Sequence, residues 1–226
     1  ITIQSPHTVT VTVNVNADQL NVNSGGTLSI NNLITLTIKD GSGNDLFLNS
    51  GGVISGAGTL QSQGAGITMD IRGNGFNAAF KVNTGTTSIH DATVASANIN
   101  GSLTIDAGAT LAVVGGGYIV TAKSNVVNNG KITSSGGFFI FKGANITNND
   151  SIGGSNVYFD STNFLSGAGA YTSSNITIRN TGNVLLSANV TFSPTSSFII
   201  NFGGTLNPNT RTFTFNSGSF YAYSGS

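Results

Sequence analysis

Residues 20–30 read LNVNSGGTLSI. Leu20 and Val22 flank Asn21, a Ser24-Gly25-Gly26 turn follows, and Leu28 and Ile30 resume the alternation. An apolar residue at every second position makes a strand with one apolar face. Glycine lets the chain turn a corner that other residues resist. The same sentence returns as LFLNSGGVISG from Leu46, FKVNTGTTSI from Phe80 and LTIDAGATLAV from Leu103, then as VVNNGKIT from Val126 and TIRNTGNVLL from Thr177. Its turn glycines, Gly25, Gly51, Gly85, Gly108, Gly130 and Gly182, recur irregularly, mostly at intervals of roughly 20–35 residues. Degenerate self-similarity at that period marks a solenoid, in which each repeat is a coil that buries its apolar face only by stacking.

Residues 1–22 carry the pattern most strictly. Ile1, Ile3, Val9, Val11, Val13 and Val15 are apolar, with Thr10, Thr12, Asn14 and Asn16 between the valines, and Pro6-His7 mark a corner. Further short strands are expected at 27–30, 33–38, 45–48, 67–71, 79–82, 87–90 and 103–105. In the second half they are expected at 111–114, 118–121, 138–141, 157–159, 176–179, 184–186, 190–192, 198–202 and 212–215. Few segments carry a helical i, i+3, i+4 pattern, and the nearest, AAFKV and ATVASANI, are broken by Asn and Gly. Two-residue hairpin turns between long strands are nearly absent, which disfavours an antiparallel sandwich or barrel. Asn31-Asn32, Asn128-Asn129 and Asn148-Asn149 suit corners where side-chain amides stack as ladders from coil to coil. The expected fold is one all-β domain over residues 1–226: a parallel β-solenoid with irregular coils of roughly 20–30 residues. The residues expected inside are Val9, Val11, Val13, Leu28, Ile30, Leu103, Ile105, Ile176, Ile178, Phe198 and Ile200.

Composition narrows the function. Only 7% of the 226 residues are charged, against about 25% in an ordinary soluble domain. All eight acids are Asp and the eight Lys and Arg are scattered singly, so the net charge is zero. No basic patch exists to neutralise phosphates, which argues against nucleic acid and anionic membranes as partners. No apolar run approaches the roughly 20 residues of a spanning helix. The absence of Cys removes disulfides, thiol catalysis and Cys-ligated zinc. Because the chain begins at Ile1 without Met or a signal peptide, it reads as the mature or trimmed part of a secreted precursor.

The opening, ITIQSPHTVTVTVNVNADQLNVNSGGTLSI, resembles the first coils of large secreted repeat proteins of environmental bacteria, especially of the Bacteroidetes–Chlorobi group. Such proteins often start VTI-x-x-G-x-TVTV and continue LTVNSGGTL-x-I, matched here by Ile1–Ile3, Thr8–Val13 and Leu20–Ile30. GGTLNPNTRTFTFNSGSF at Gly203–Phe220 looks like the same unit, and Pro6 departs from the pattern where Gly is usual. The resemblance implies a right-handed parallel β-helix, secretion, and a surface or adhesin-like role. It implies no chemistry.

Several clusters bear on chemistry. MDIRGNG places Asp70 and Arg72 on one side of a strand, and IHDATV sets His90 beside Asp91 about one coil later. A β-helix polysaccharide lyase or hydrolase needs paired carboxylates near a base, and no second carboxylate joins Asp70 in sequence. The plainer reading is a salt bridge and a polar corner. DGSGNDLFL at Asp40–Leu48 resembles one calcium nonapeptide of the RTX type, with Gly41, Gly43, Asp45 and Phe47 in register. Calcium there is shared between successive copies and this chain has one, so a tight turn is expected instead. Thr8, Thr10, Thr12 and Asn14 form an outward row of the kind that binds ice, but it does not recur regularly. Sequons at Asn100, Asn145, Asn149, Asn175 and Asn189 matter only in a glycosylating host. Eleven of the 14 Phe lie from Phe138 onward and all five Tyr from Tyr118 onward. FFIFK at Phe138–Lys142 sets Phe138 and Ile140 on one side and Phe139 and Phe141 on the other. Either the core widens there or one side is a binding face.

The functional expectation is a non-catalytic structural protein of the cell surface: an extracellular filament subunit or adhesin stalk assembled end to end. It would have no catalytic, metal or cofactor residues. Its main partner would be itself, as a head-to-tail homopolymer, with surface glycans as a further candidate. The expected assembly interface comprises Ile1, Ile3, Val9 and Val11 at one end and Phe213, Phe215, Phe220, Tyr221 and Tyr223 at the other. The rival expectation is a carbohydrate-binding or polysaccharide-degrading β-helix.

Overall fold

The structure is a computed structural model that describes residues 1–90, 96–143, 145–179 and 182–223. Among these residues there are thirty strands and no helix, and the strand ladders are parallel. The chain winds as a β-solenoid of about ten coils with three faces. Face 1 begins with Thr2–Ile3, face 2 with Thr8–Val11 and face 3 with Val15–Ala17. Each strand then lies on its counterpart from the previous coil: Leu20–Val22 on face 1, Thr27–Ile30 on face 2 and Thr35–Lys39 on face 3. The order 1, 2, 3 persists to Phe213–Phe215 on face 1 and Ser219–Ala222 on face 2. Ala79–His90 is one strand where two, 79–82 and 87–90, are expected, and Thr59–Ile71 starts well before the expected 67–71. Thr59–Ile71 and Ala79–His90 each bend from face 3 into face 1 without a break.

Coil length varies along the stack. Phe139 pairs with Val157, 18 residues on, whereas Leu20 pairs with Leu46, 26 residues on. The recurring turn sentence is not one structural corner. Gly25 and Gly51 join faces 1 and 2, Gly85, Gly108 and Gly130 join faces 3 and 1, and Gly182 joins faces 2 and 3. That is why their spacing is uneven. Gly25 is needed for its left-handed φ of 74°. Gly130 is needed for space, since a Cβ there would sit 2.3 Å from the Ala109 carbonyl oxygen of the preceding coil.

Period-two alternation sends one side of every strand into the lumen. Leu28, Ile30, Leu103, Ile105, Ile176, Ile178, Phe198 and Ile200 are buried there as expected. Each such side chain contributes about 1.5–3 kcal/mol relative to exposure. Val9 and Val13 are corrections, at 41% and 66% exposed. Val9 does face the lumen, in register with Leu28, but only one coil covers it. Val13 sits in a corner between strands. Val11 is partly buried against the core.

The aromatic second half is core. Phe139, Phe141, Phe159, Tyr171, Phe192 and Phe198 are buried, and Phe141 stacks on Phe159 at 5.4 Å between ring centroids. Phe138 and Ile140 lie on the other side of the strand, outside the lumen cluster, where Phe138 is half-buried and Ile140 is buried all the same.

The amide ladders form at two of the three expected pairs, one rung on each side of the backbone. Asn128 Nδ2 donates to Asn148 Oδ1 at 2.8 Å inside the lumen, and Asn149 Nδ2 donates to Asn129 Oδ1 at 2.7 Å outside. Asn31 and Asn32 are exposed at a corner and join no rung.

Candidate functional site

On the outside of face 1 the register stacks Phe47, Asp70 and His90 in one column on successive coils. Asp70 and Arg72 share a side of their strand, so the guanidinium grips the carboxylate at both oxygens. Nε donates to Oδ1 at 3.0 Å and Nη2 to Oδ2 at 2.8 Å. The guanidinium also covers the Phe47 ring, 4.4 Å from its centroid, a favourable cation–π position. Asp70 is 3% exposed, so the pair is far more enclosed than a surface salt bridge. The structure thus brings Asp70, Arg72 and His90 together as the spacing suggested. Asp91 lies outside the described residues.

The DGSGNDLFL segment is a backbone clamp. Asp45 is fully buried, and its two oxygens accept the Gly41 N–H and the Thr68 N–H of the next coil, both at 2.7 Å. Asp40 accepts the Gly66 N–H at 3.1 Å. These carboxylates are aimed at amides, which is how a turn and its neighbour are pinned. Among the described residues no group of three His, Cys, Asp or Glu side chains gathers to hold a metal ion.

A second outward cluster lies where face 2 turns toward face 3, and sequence reading missed it. Arg179 donates to both oxygens of Asp160, with Nη2 to Oδ2 at 3.0 Å, and its guanidinium lies 4.2 Å from the Tyr158 ring centroid. Lys142 adds a looser contact to Asp160 at 3.8 Å. Phe138 stacks against Tyr158 at 5.6 Å and 14° between planes. Burial raises the Tyr158 hydroxyl above its ordinary pKa against the lowering pull of Arg179. The hydrogen bonds that Arg179 donates to Asp160 raise its own pKa above the ordinary arginine value. The signal was YFD at 158–160 and TIR at 177–179, one coil apart, but only the pairing of Tyr158 with Thr177 shows that they meet.

The outward threonine row of face 2 fades quickly. Thr8, Thr27 and Val53 form one column and Thr10, Ser29 and Ser55 another. Farther along, the same face presents Ile119 beside Phe138 and Ile140 beside Tyr158.

The residues expected at the ends fall into two groups. Phe213, Phe215 and Phe220 face the lumen of the last described coil, paired with Val190, Phe192 and Phe198. Ile1, Val9, Tyr221 and Tyr223 are exposed, whereas Ile3 is buried under the next coil. Tyr221 pairs with Ile199 on the outer side of face 2. Among the described residues no helix is long and apolar enough to cross a membrane. No protein-family model matches the chain, and no curated protein or solved structure matches it.

Proposed function

We propose that this chain is a non-catalytic structural rod, a length of extracellular filament or adhesin stalk. The observation that carries this reading is the state of the outward chemistry. Asp70 and Asp160, the carboxylates of the two outward clusters, are each already bound at both oxygens by a guanidinium. Phe47 and Tyr158, the aromatics beside the outward carboxylates, each have a ring face covered by arginine. A glycan-processing β-helix needs free, converging carboxylates, and a glycan-binding one needs open ring faces. Stacked coils joined to one another by continuous parallel ladders suit a load-bearing spacer of extendable length.

The test has two arms on purified protein. Small-angle scattering should give a stiff rod about 50 Å long, from about 4.8 Å per coil. Incubation with a panel of neutral and acidic polysaccharides should give neither saturable binding nor new reducing ends. Cleavage that disappears in Asp70→Asn, or saturable binding to one glycan, would overturn the reading.

A further inference from the structure

Three of the eight Lys and Arg, scattered singly along the chain, meet on one edge of the solenoid. There the ladder of face 2 runs one residue past its strands. The N–H groups of Lys123, Lys142, Asp160 and Arg179 donate to the carbonyls of Ile99, Ala122, Phe141 and Phe159 at 2.8–3.1 Å. Each of the four follows a lumen residue, and those lumen residues, Ala122, Phe141, Phe159 and Ile178, are in register. The four side chains therefore form one outward column on successive coils, with backbones about 4.8 Å apart.

The column is unbalanced. Arg179 takes both oxygens of Asp160, which leaves Lys142 a contact of 3.8 Å to that carboxylate, too long for a hydrogen bond. Lys123 is exposed, and its ammonium group has no partner among the described residues. Three cations thus stand against one anion, a net charge of +2. The two lysines lie side by side in register, a placement of like charges that destabilises a sheet. Their surroundings keep them accessible. Gly143 follows Lys142, and a Cβ there would sit 1.9 Å from the Ser124 carbonyl oxygen, so this flank stays bare. On the other flank the buried Ile140 and the stacked rings of Phe138 and Tyr158 form an apolar shoulder. Such a shoulder weakens the screening of nearby charge.

We propose that Lys123 and Lys142 together bind a phosphate monoester, each ammonium group donating to a different phosphate oxygen. At pH 7 such a group carries a charge of about −1.5 to −2, which balances the column. Lysine engages phosphate as a point charge, so one dianion turns the repulsion between the two ammonium groups into a shared attraction. A carboxylate or a phosphodiester carries a single charge and leaves the pair half compensated. The site therefore selects monoesters over acidic polysaccharides whose charges are carboxylates. It goes beyond the structural-rod reading and does not depend on it. The same monoester occurs on small soluble molecules and on lipid headgroups, and the test separates the two sources.

The test titrates the unaltered chain with methyl phosphate, dimethyl phosphate and acetate by calorimetry at fixed ionic strength. In parallel the chain is sedimented with phosphatidylcholine vesicles that contain or lack phosphatidic acid, a lipid monoester. Methyl phosphate should bind at one site per chain, about tenfold or more tightly than the diester or acetate. Lys123→Gln and Lys142→Gln should each weaken that binding about tenfold. Lys131→Gln, which alters an exposed lysine on face 1, should change nothing. All three substituted side chains are exposed, and unchanged β circular dichroism verifies folding. Binding of the free ester without vesicles assigns the site to soluble ligands. Vesicle binding that needs both phosphatidic acid and the two lysines assigns it to headgroups, and either result supports the inference. Equal affinity for monoester and diester, an equal loss in Lys131→Gln, or binding that survives both lysine substitutions would overturn it. So would the absence of saturable binding to ester and vesicle alike.

Discussion

The Tyr118 hydroxyl donates a 2.6 Å hydrogen bond to the Ile71 carbonyl oxygen, 47 residues earlier in the chain. Both residues are buried, and the bond reaches across about two coils, whereas the strand ladders link only adjacent ones. It ties the long bent strand Thr59–Ile71 to the start of the next part of the stack. A buried carbonyl deprived of its donor costs about 1–3 kcal/mol. Tyr118→Phe should therefore lower stability by that amount in urea unfolding, with the fold retained. An unchanged midpoint would show that the carbonyl finds another partner.

Asn148 and Asn149 are adjacent in sequence and on opposite sides of the wall. Asn148 is fully buried, accepts from Asn128 and donates to the Ala170 carbonyl at 3.1 Å. Asn149 makes its rung in solvent. Asn148→Ala should cost about 1–3 kcal/mol, since it deprives the Ala170 carbonyl of its side-chain donor and leaves the Asn128 amide only its bond to the Ser151 carbonyl. Asn149→Ala should stay within about 0.5 kcal/mol, as surface changes do. Equal losses, measured side by side by thermal denaturation, would contradict the two-sided ladder.

The lumen was largely legible because alternation states which side of a strand faces in. Leu28, Ile30, Ile176 and Ile178 could be placed from spacing alone. Alternation does not state whether a further coil covers the position, which is why Val9 is exposed. It also fails in corners, which is why Val13 is. The Arg179–Asp160 pair stayed hidden for a different reason. Its partners lie one coil apart, and coils of 18 to 26 residues make the register unreadable from a degenerate repeat. Asp70 and Arg72 were found because i, i+2 spacing within one strand needs no knowledge of register.

The Asp70–Arg72 pair should behave as a structural clip. Asp70→Asn keeps the shape but removes the charge that holds the guanidinium over Phe47. A hydrogen bond to a charged group is worth about 1.5–3 kcal/mol, and the enclosed carboxylate places this one toward the upper end. Asp70→Asn should lower the melting temperature, and Phe47→Ala should lower it by a smaller amount through loss of the ring contact. A double-mutant cycle should show the two effects to be non-additive, because both act through Arg72. Additive losses would mean that the ring and the carboxylate do not share the arginine.

Tyr171 sets the alkaline limit. It is 1% exposed, its hydroxyl meets no protein partner among the described residues, and burial pushes its pKa well above the ordinary 10.0. The folded state thus keeps the phenol proton after the unfolded chain has lost it. A raised folded pKa gives stability that is intact below about pH 10 and is lost as pH rises beyond it, by about 1.4 kcal/mol per pH unit. Tyr158, also raised, adds to the same slope. Tyr171→Phe removes an unpartnered hydroxyl, so at pH 7 it should be neutral or slightly stabilising, unlike Tyr118→Phe. Above pH 10 it should flatten the fall in stability, leaving a residual slope from Tyr158. In the unaltered protein, absorbance at the tyrosinate band should show at least one phenol that ionises only as the fold is lost. Early, reversible ionisation of every tyrosine with the β spectrum intact would place Tyr171 in contact with solvent and refute its role.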